Sequence, residues 1–76
     1  MPKLPRGLSG QQVVQVLGRL GFVFVRQSGS HVNMKKVTPT GEIPVTVPQH
    51  RSLKPGLLGA ILRQAQVGVG ELLENL

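Results

Sequence analysis

The chain has 76 residues, with nine Lys and Arg against three acids, all Glu, for a formal net charge of +6. A chain this short buries only about 60% of the surface its unfolded form exposes, which excludes a large enzyme core, and the charge calls for an anionic partner, nucleic acid or an acidic protein. The absence of cysteine removes disulfides, thiol nucleophiles and thiolate metal sites and fits a reducing compartment. No apolar run approaches the ~18 residues of a membrane span, and Pro2, Pro5 and Gly7 interrupt the stretch a signal peptide would need. A cytoplasmic protein without membrane contact is expected.

Leu8 to Leu20 reads as the first helix. Ser9 is positioned to cap it, Gln12 stands at the reciprocal capping-box position, and Leu8 is positioned to staple onto Val13. Val13, Leu17 and Leu20, with Val14 beside them, form an apolar stripe at helical spacing. Gly21 follows where a left-handed cap residue is wanted, and Phe22-Val23-Phe24-Val25 reads as the first strand. Ser28-Gly29 signals a turn, so His31 to Lys36 becomes a second strand antiparallel to the first. Thr38-Pro39-Thr40-Gly41 makes the next turn. Ile43 to Val47 then alternates, with Ile43, Val45 and Val47 on one face, and Pro44, which cannot donate to a ladder, puts this strand at a sheet edge. Pro55 suits the first turn of a second helix that runs to Ala65, with Leu57, Leu58, Ile61, Leu62 and Ala65 toward the sheet. Gly68 and Gly70 weaken a short terminal helix over 69–75. The expected fold is α+β, one domain over 1–76 with its core at about 8–65. Its order is α-β-β-β-α, with the helices on one face of a three-stranded antiparallel sheet.

Histidine is the side chain suited to proton transfer at neutral pH, and with no Asp, Cys or Tyr the chain offers two, His31 and His50. Alternation puts His31, Asn33 and Lys35 on one face of the second strand and the apolar Val32 and Met34 on the other, so His31 faces away from the helices. Taken alone, a surface histidine on a basic strand is more often passive than catalytic. Ser30 does not pair with it as a nucleophile, because neighbours in a regular strand point to opposite faces. No metal site is expected: Glu42 reads as a turn residue, and neither histidine has a zinc-type spacing.

Two registers of the first hairpin fit the apolar pattern. A two-residue Ser28-Gly29 loop pairs Arg26 with His31 and Val25 with Val32. A three-residue Gln27-Ser28-Gly29 loop pairs Phe24 with Val32 and sends Arg26 to the other face. Arg26, Lys35, Lys36, Arg51, Lys54 and Arg63 are ordinary surface charges taken singly. Together, opposed between residues 21 and 70 by Glu42 alone, they suit a phosphate-binding surface. Phe22 and Phe24 are the only aromatics and at least one belongs in the core, so base-stacking platforms fit badly and contacts to backbone and shape must dominate.

Gly29-Ser30-His31 after Gly21-Phe22 and Arg26, then Val45-Thr46-Val47-Pro48-Gln49-His50, then Lys54-Pro55-Gly56-Leu57 and Ile61-Leu62-Arg63-Gln64-Ala65, together resemble the HicA toxin family over about Leu8 to Ala65. The resemblance implies a fold like the double-stranded RNA-binding domain. It also implies an mRNA interferase, a ribosome-independent endoribonuclease whose catalytic histidine lies in the Gly-Ser-His motif, here His31. The implied partners are mRNA, single- or double-stranded, and the antitoxin HicB, which blocks the active site; no cofactor is implied. Residues expected to contact RNA are Arg26, Gly29, Ser30, Lys35, Lys36, Arg51 and Lys54. The chain departs from the family at Met34, where an aromatic is frequent, and at Gly68-Val69-Gly70-Glu71, where the tail usually carries a Ser and acidic residues.

The economical chemistry is removal of a ribose 2′-OH proton by His31, attack of that oxygen on the adjacent phosphate, and stabilisation of the developing charge by Lys35, Lys36 or Arg26. His50 reads equally as a leaving-group acid and as a helix-entry residue bonded to backbone. Two rival readings share the composition: a non-catalytic RNA-binding module of the same fold, and an interaction domain serving only an acidic protein.

Overall fold

The computed structural model describes residues 4–76; Pro2, one of the interruptions of the leader-like stretch, lies outside them. The elements run α1 (Gly10–Arg19), β1 (Val23–Ser28), β2 (His31–Thr38), β3 (Gly41–Pro48), α2 (Pro55–Ala65) and α3 (Val69–Glu74). The sheet is antiparallel in the order β1-β2-β3, so Pro44 does sit on an edge strand. The expected α+β architecture forms, and the weak terminal helix is present. No described helix is long and apolar enough to cross a membrane.

The capping box forms at the start of α1. Gln12 N–H donates to Ser9 Oγ at 3.1 Å and Ser9 N–H to Gln12 Oε1 at 2.9 Å, a cap contributing about 1 kcal/mol. The helix is shorter than expected, and its buried stripe is Val13, Val16 and Leu17, with Val14 and Leu20 only half-buried. Its first residue is glycine for a packing reason. A Cβ at Gly10 would overlap the Pro48 carbonyl oxygen and come within 2.9 Å of Gln49 Cα, and the Gly10 N–H donates to His50 O at 2.9 Å. The close approach locks α1 onto the chain leaving β3.

The β1–β2 hairpin takes neither expected register. Its loop is Gly29-Ser30, with Ser28 opposite His31, Gln27 opposite Val32 and Arg26 opposite Asn33. Gly29 has φ +59°, which suits the first central position of a two-residue hairpin loop, where a residue without Cβ is wanted. That places the loop one residue later than Ser28-Gly29. Moving a two-residue loop by one residue shifts the pairing by two and leaves the adjoining side chains of β1 on the same faces. The bulge between Phe24 and Arg26 then changes the parity beyond it, so Phe24 pairs with Met34 and Val23 with Lys35, while every residue of β1 stays exposed. All three strands also run further than expected: β1 continues through Ser28, β2 reaches Thr38, and β3 opens at Gly41, so Glu42 is a strand residue and not a turn residue.

One sheet face, carrying Val32, Met34, Val45 and Val47, is buried with Phe22 against Leu53 and the helical residues Leu58, Ile61, Leu62 and Ala65. Leu57, expected toward the sheet, is 37% exposed, because positions 58, 61, 62 and 65 already fill the stripe α2 presents inward. Leu72 of α3 is fully buried, and burying a leucine is worth about 1.5–3 kcal/mol, which outweighs the propensity cost of the nearby glycines. Gly68 N–H donates to Glu71 Oε1 at 3.1 Å and Arg19 Nη1 to Asn75 O at 2.8 Å, fixing both ends of the short helix. The Thr46 N–H on the outer side of β3 donates to Gln64 Oε1 of α2 at 3.2 Å, which covers that edge.

Candidate active site on the open sheet face

His31 opens β2 and is exposed, with Val32 beside it and Met34 beyond turned into the core. Residues facing one another across an antiparallel pair share a face, so His31, Asn33 and Lys35 lie on the open side with Ser28 and Arg26 of β1 and with Pro44 and Thr46 of β3, while Pro48, opposite His31, is buried. Arg26 stands diagonal to His31, a separation within reach of a long side chain. The loop register keeps it there: Arg26 lies between the loop and the bulge, on the face that only one of the two expected registers allowed. Ser30 sits in the turn and not in the strand.

Backbone bonds gather the remaining candidates at the same end of the sheet. Gln49 N–H donates to Ser30 O at 2.6 Å, continuing the β2–β3 pairing one step past the His31–Pro48 rung, and His50 follows next. The bond from Gly10 to His50 O and one from Leu53 N–H to Leu8 O at 2.7 Å hold the segment 49–54 against the start of α1. That segment carries His50, Arg51 and Lys54, all exposed. His50 is therefore both a backbone-bonded helix-entry residue and a neighbour of the His31 end.

The two lysines of β2 do not join them. Lys35 is on the open face but its Nζ lies 2.8 Å from Glu42 Oε2, with both side chains about half exposed at 41% and 54%. Lys36 lies on the opposite face, where a Cβ at Gly21 would meet its Cε at 3.4 Å. It stands five residues along β2 from His31, about 17 Å at strand rise. Among the described residues, no group of three His, Cys, Asp or Glu converges as a metal site would require.

Beyond His31 the open face forms a depression of about 400 Å³ lined by Val25, Asn33, Lys35, Glu42, Pro44 and Thr46. Thr46 Oγ1 donates to Asn33 Oδ1 at 2.8 Å across the strands. Val25 is 49% exposed and reaches this side through the bulge. Asn33 was legible as a neighbour of His31 by alternation, whereas Val25 and Thr46 carry no sequence signal, because their positions depend on a bulge and a pairing register.

The chain was compared with known proteins. No curated protein matches it. The profile of the family described as HicA toxin of bacterial toxin-antitoxin matches residues 10–67, a span that includes every strand, α1 and α2 and both histidines. The chain belongs to the HicA toxin family of bacterial toxin-antitoxin systems.

Proposed function

We propose that this toxin is an endoribonuclease that cleaves mRNA in the cytoplasm without a metal ion, with His31 as its catalytic residue, and that a HicB-like antitoxin neutralises it. The observation that carries this reading is an exposed imidazole on the helix-free sheet face, diagonal to an arginine that, among the described residues, no carboxylate engages. Packing gives no reason for a histidine there. His31 takes the proton of a ribose 2′-OH, the oxygen attacks the adjacent phosphorus, and the chain breaks with a 2′,3′-cyclic phosphate on one product. The nucleophile belongs to the substrate, so the step needs no metal-activated water. The Arg26 guanidinium, diagonal to His31, is suited to the developing phosphorane charge, and Arg51 and Lys54 extend the cationic surface along the same end. The Gly29-Ser30 turn has no bulky side chain and lets a phosphate approach the backbone. His50 is the candidate acid for the departing 5′-oxygen.

Purified protein is expected to cut RNA in EDTA, to leave DNA of the same sequence intact, and to fail on RNA with a single 2′-deoxynucleotide at the cut. Cleavage of that substituted strand, or a strict metal requirement, rejects the mechanism. RNA that shifts in a gel but is never cut makes the protein a binding module, and no RNA binding even at low salt leaves only a protein partner. The antitoxin is expected to displace RNA and to shield His31 from histidine-modifying reagents. The toxin's charge favours a partner presenting acidic side chains to the same surface.

A further inference from the structure

We propose that the antitoxin takes hold of the free edge of β1, adding one of its own strands to the sheet there and setting acidic side chains beside Arg26; this rests on the antitoxin reading above. β1 and β3 are the two edge strands, and their edges differ. The β3 edge carries Pro44, which has no N–H to offer, and its Thr46 N–H is taken by Gln64 of α2. Among the described residues, no bond reaches the backbone of Val23–Ser28 from outside its hairpin. Edge strands are ordinarily blunted by charge, proline, a bulge or a cover. β1 has Arg26 and a bulge, but its first three residues, Val23, Phe24 and Val25, are apolar and exposed at 53%, 59% and 49%. Phe24 is the telling one. It pairs with Met34 and so lies on the core side of the sheet, yet neither a helix nor a further strand covers it. An added strand would pack on Phe24 from that side, while Val23, opposite Lys35, and Val25 serve the other.

Charge selects the occupant. A second copy of this chain would bring another +6 and a second Arg26 to the same edge, and like charges across a strand pair are destabilising. RNA bound on the His31 face does not meet Phe24, which lies on the other side of the sheet. The antitoxin is the protein partner that membership of a toxin-antitoxin family supplies. A strand of it with an apolar residue opposite Phe24 and an acidic one opposite Arg26 fits the edge: main-chain bonds to β1 give affinity, and the alternating side chains give specificity. Such a strand also withdraws Arg26 from the phosphate beside His31. The edge contact therefore inhibits as well as anchors.

The test uses the full chain as His31→Ala, free and in complex with the purified cognate antitoxin. Amide hydrogen exchange of the β1 N–H groups that point away from β2 is expected to slow by about tenfold or more in the complex. Adding Phe24→Glu is expected to weaken antitoxin binding by about tenfold or more. In the chain with normal His31, Phe24→Glu is expected to leave RNA cleavage within about twofold. Where Phe24→Glu fails to fold, the exchange measurement decides alone. A complex in which the outward β1 amides exchange as fast as in the free protein, or a folded Phe24→Glu that binds the antitoxin unchanged, overturns the edge proposal and keeps the antitoxin. Absence of any complex overturns both. Outward β1 amides already protected in the free protein, with a dimer in sedimentation, give the edge to a second copy and overturn the proposal as well.

Discussion

At its start β2 holds His31 opposite Ser28 and diagonal to Arg26, beside a segment tied down by backbone bonds from Gly10, Gln49 and Leu53. Further along, the same strand carries Lys35 paired with Glu42, and Lys36 turned to the other face. The hairpin beyond them is closed by the Thr38–Gly41 rung, where the Thr38 hydroxyl donates to Gly41 O at 2.9 Å. Both stretches look basic in the sequence. The structure separates them into an anchored end whose cations form no ion pair among the described residues and a stretch where Lys35 is paired with Glu42. Formal charge alone therefore does not show how the cations of this sheet are arranged, which strand parity and one glutamate decide.

The sharpest break between the two regions is expected in catalysis. His31→Ala should lower RNA cleavage by about 10²–10⁴-fold, the usual worth of a positioned acid-base group, with circular dichroism and RNA affinity retained because the side chain is exposed. Lys35→Ala should lose less than about tenfold, since its charge is already shared with Glu42. Equal losses in the two variants would erase the distinction.

Next in size is the anchoring itself. Gly10→Ala must push α1 off Pro48 and Gln49, and overpacking of this kind costs about 1–3 kcal/mol. The helix gain of alanine over glycine, about 1 kcal/mol, offsets part of it. Net destabilisation in urea unfolding, with cleavage falling further than the unfolded fraction explains, is the expected outcome. Gly18→Ala has open space around it and should stabilise α1 instead.

A smaller effect is expected at the turn that presents His31. Gly29 has nothing within 4 Å of an added Cβ but a φ of +59°, so Gly29→Ala meets only backbone strain, about 1–2 kcal/mol. Gly41, at φ +144° where β3 opens after the opposite turn, offers the matched control: Gly41→Ala should cost stability too while leaving cleavage by the folded fraction unchanged. If both turns affect cleavage alike, the His31 end has no special role.

These contrasts also mark where the sequence was readable. The capping box at Ser9 and Gln12, the alternation that turns His31 out and Val32 and Met34 in, the edge position of Pro44 and the α2 start at Pro55 are local signals, each set by residues within a turn or two of one another. The hairpin register was not local. It depended on Gly29 taking the first loop position and on a bulge at Val25 that changes the parity of the strand beyond it, and no propensity announces a bulge. The pairing of Lys35 with Glu42 has a different cause: a residue read as part of a turn became the second residue of β3, on the same face as Lys35. Leu72 shows the opposite failure, where tertiary burial overrode the glycines that argue against α3.

The smallest expected effect tests the charge distribution directly. RNA affinity falls with salt because bound cations are released from each neutralised phosphate, with a slope of about 0.7 per contact on single strands. If Arg26 makes such a contact, Arg26→Ala lowers the slope by about 0.7. Lys36 is on the helix side and should contribute nothing to RNA on the open face, so Lys36→Ala should leave the slope unchanged. Lys35→Ala should change it less than Arg26→Ala, because the ion pair with Glu42 already occupies its ammonium, and Glu42→Gln, which releases Lys35, should steepen it. The sign of that last change is the decisive reading: a slope that stays flat in Glu42→Gln means the RNA backbone never reaches Lys35, whereas one that steepens means Glu42 holds a latent phosphate contact in check.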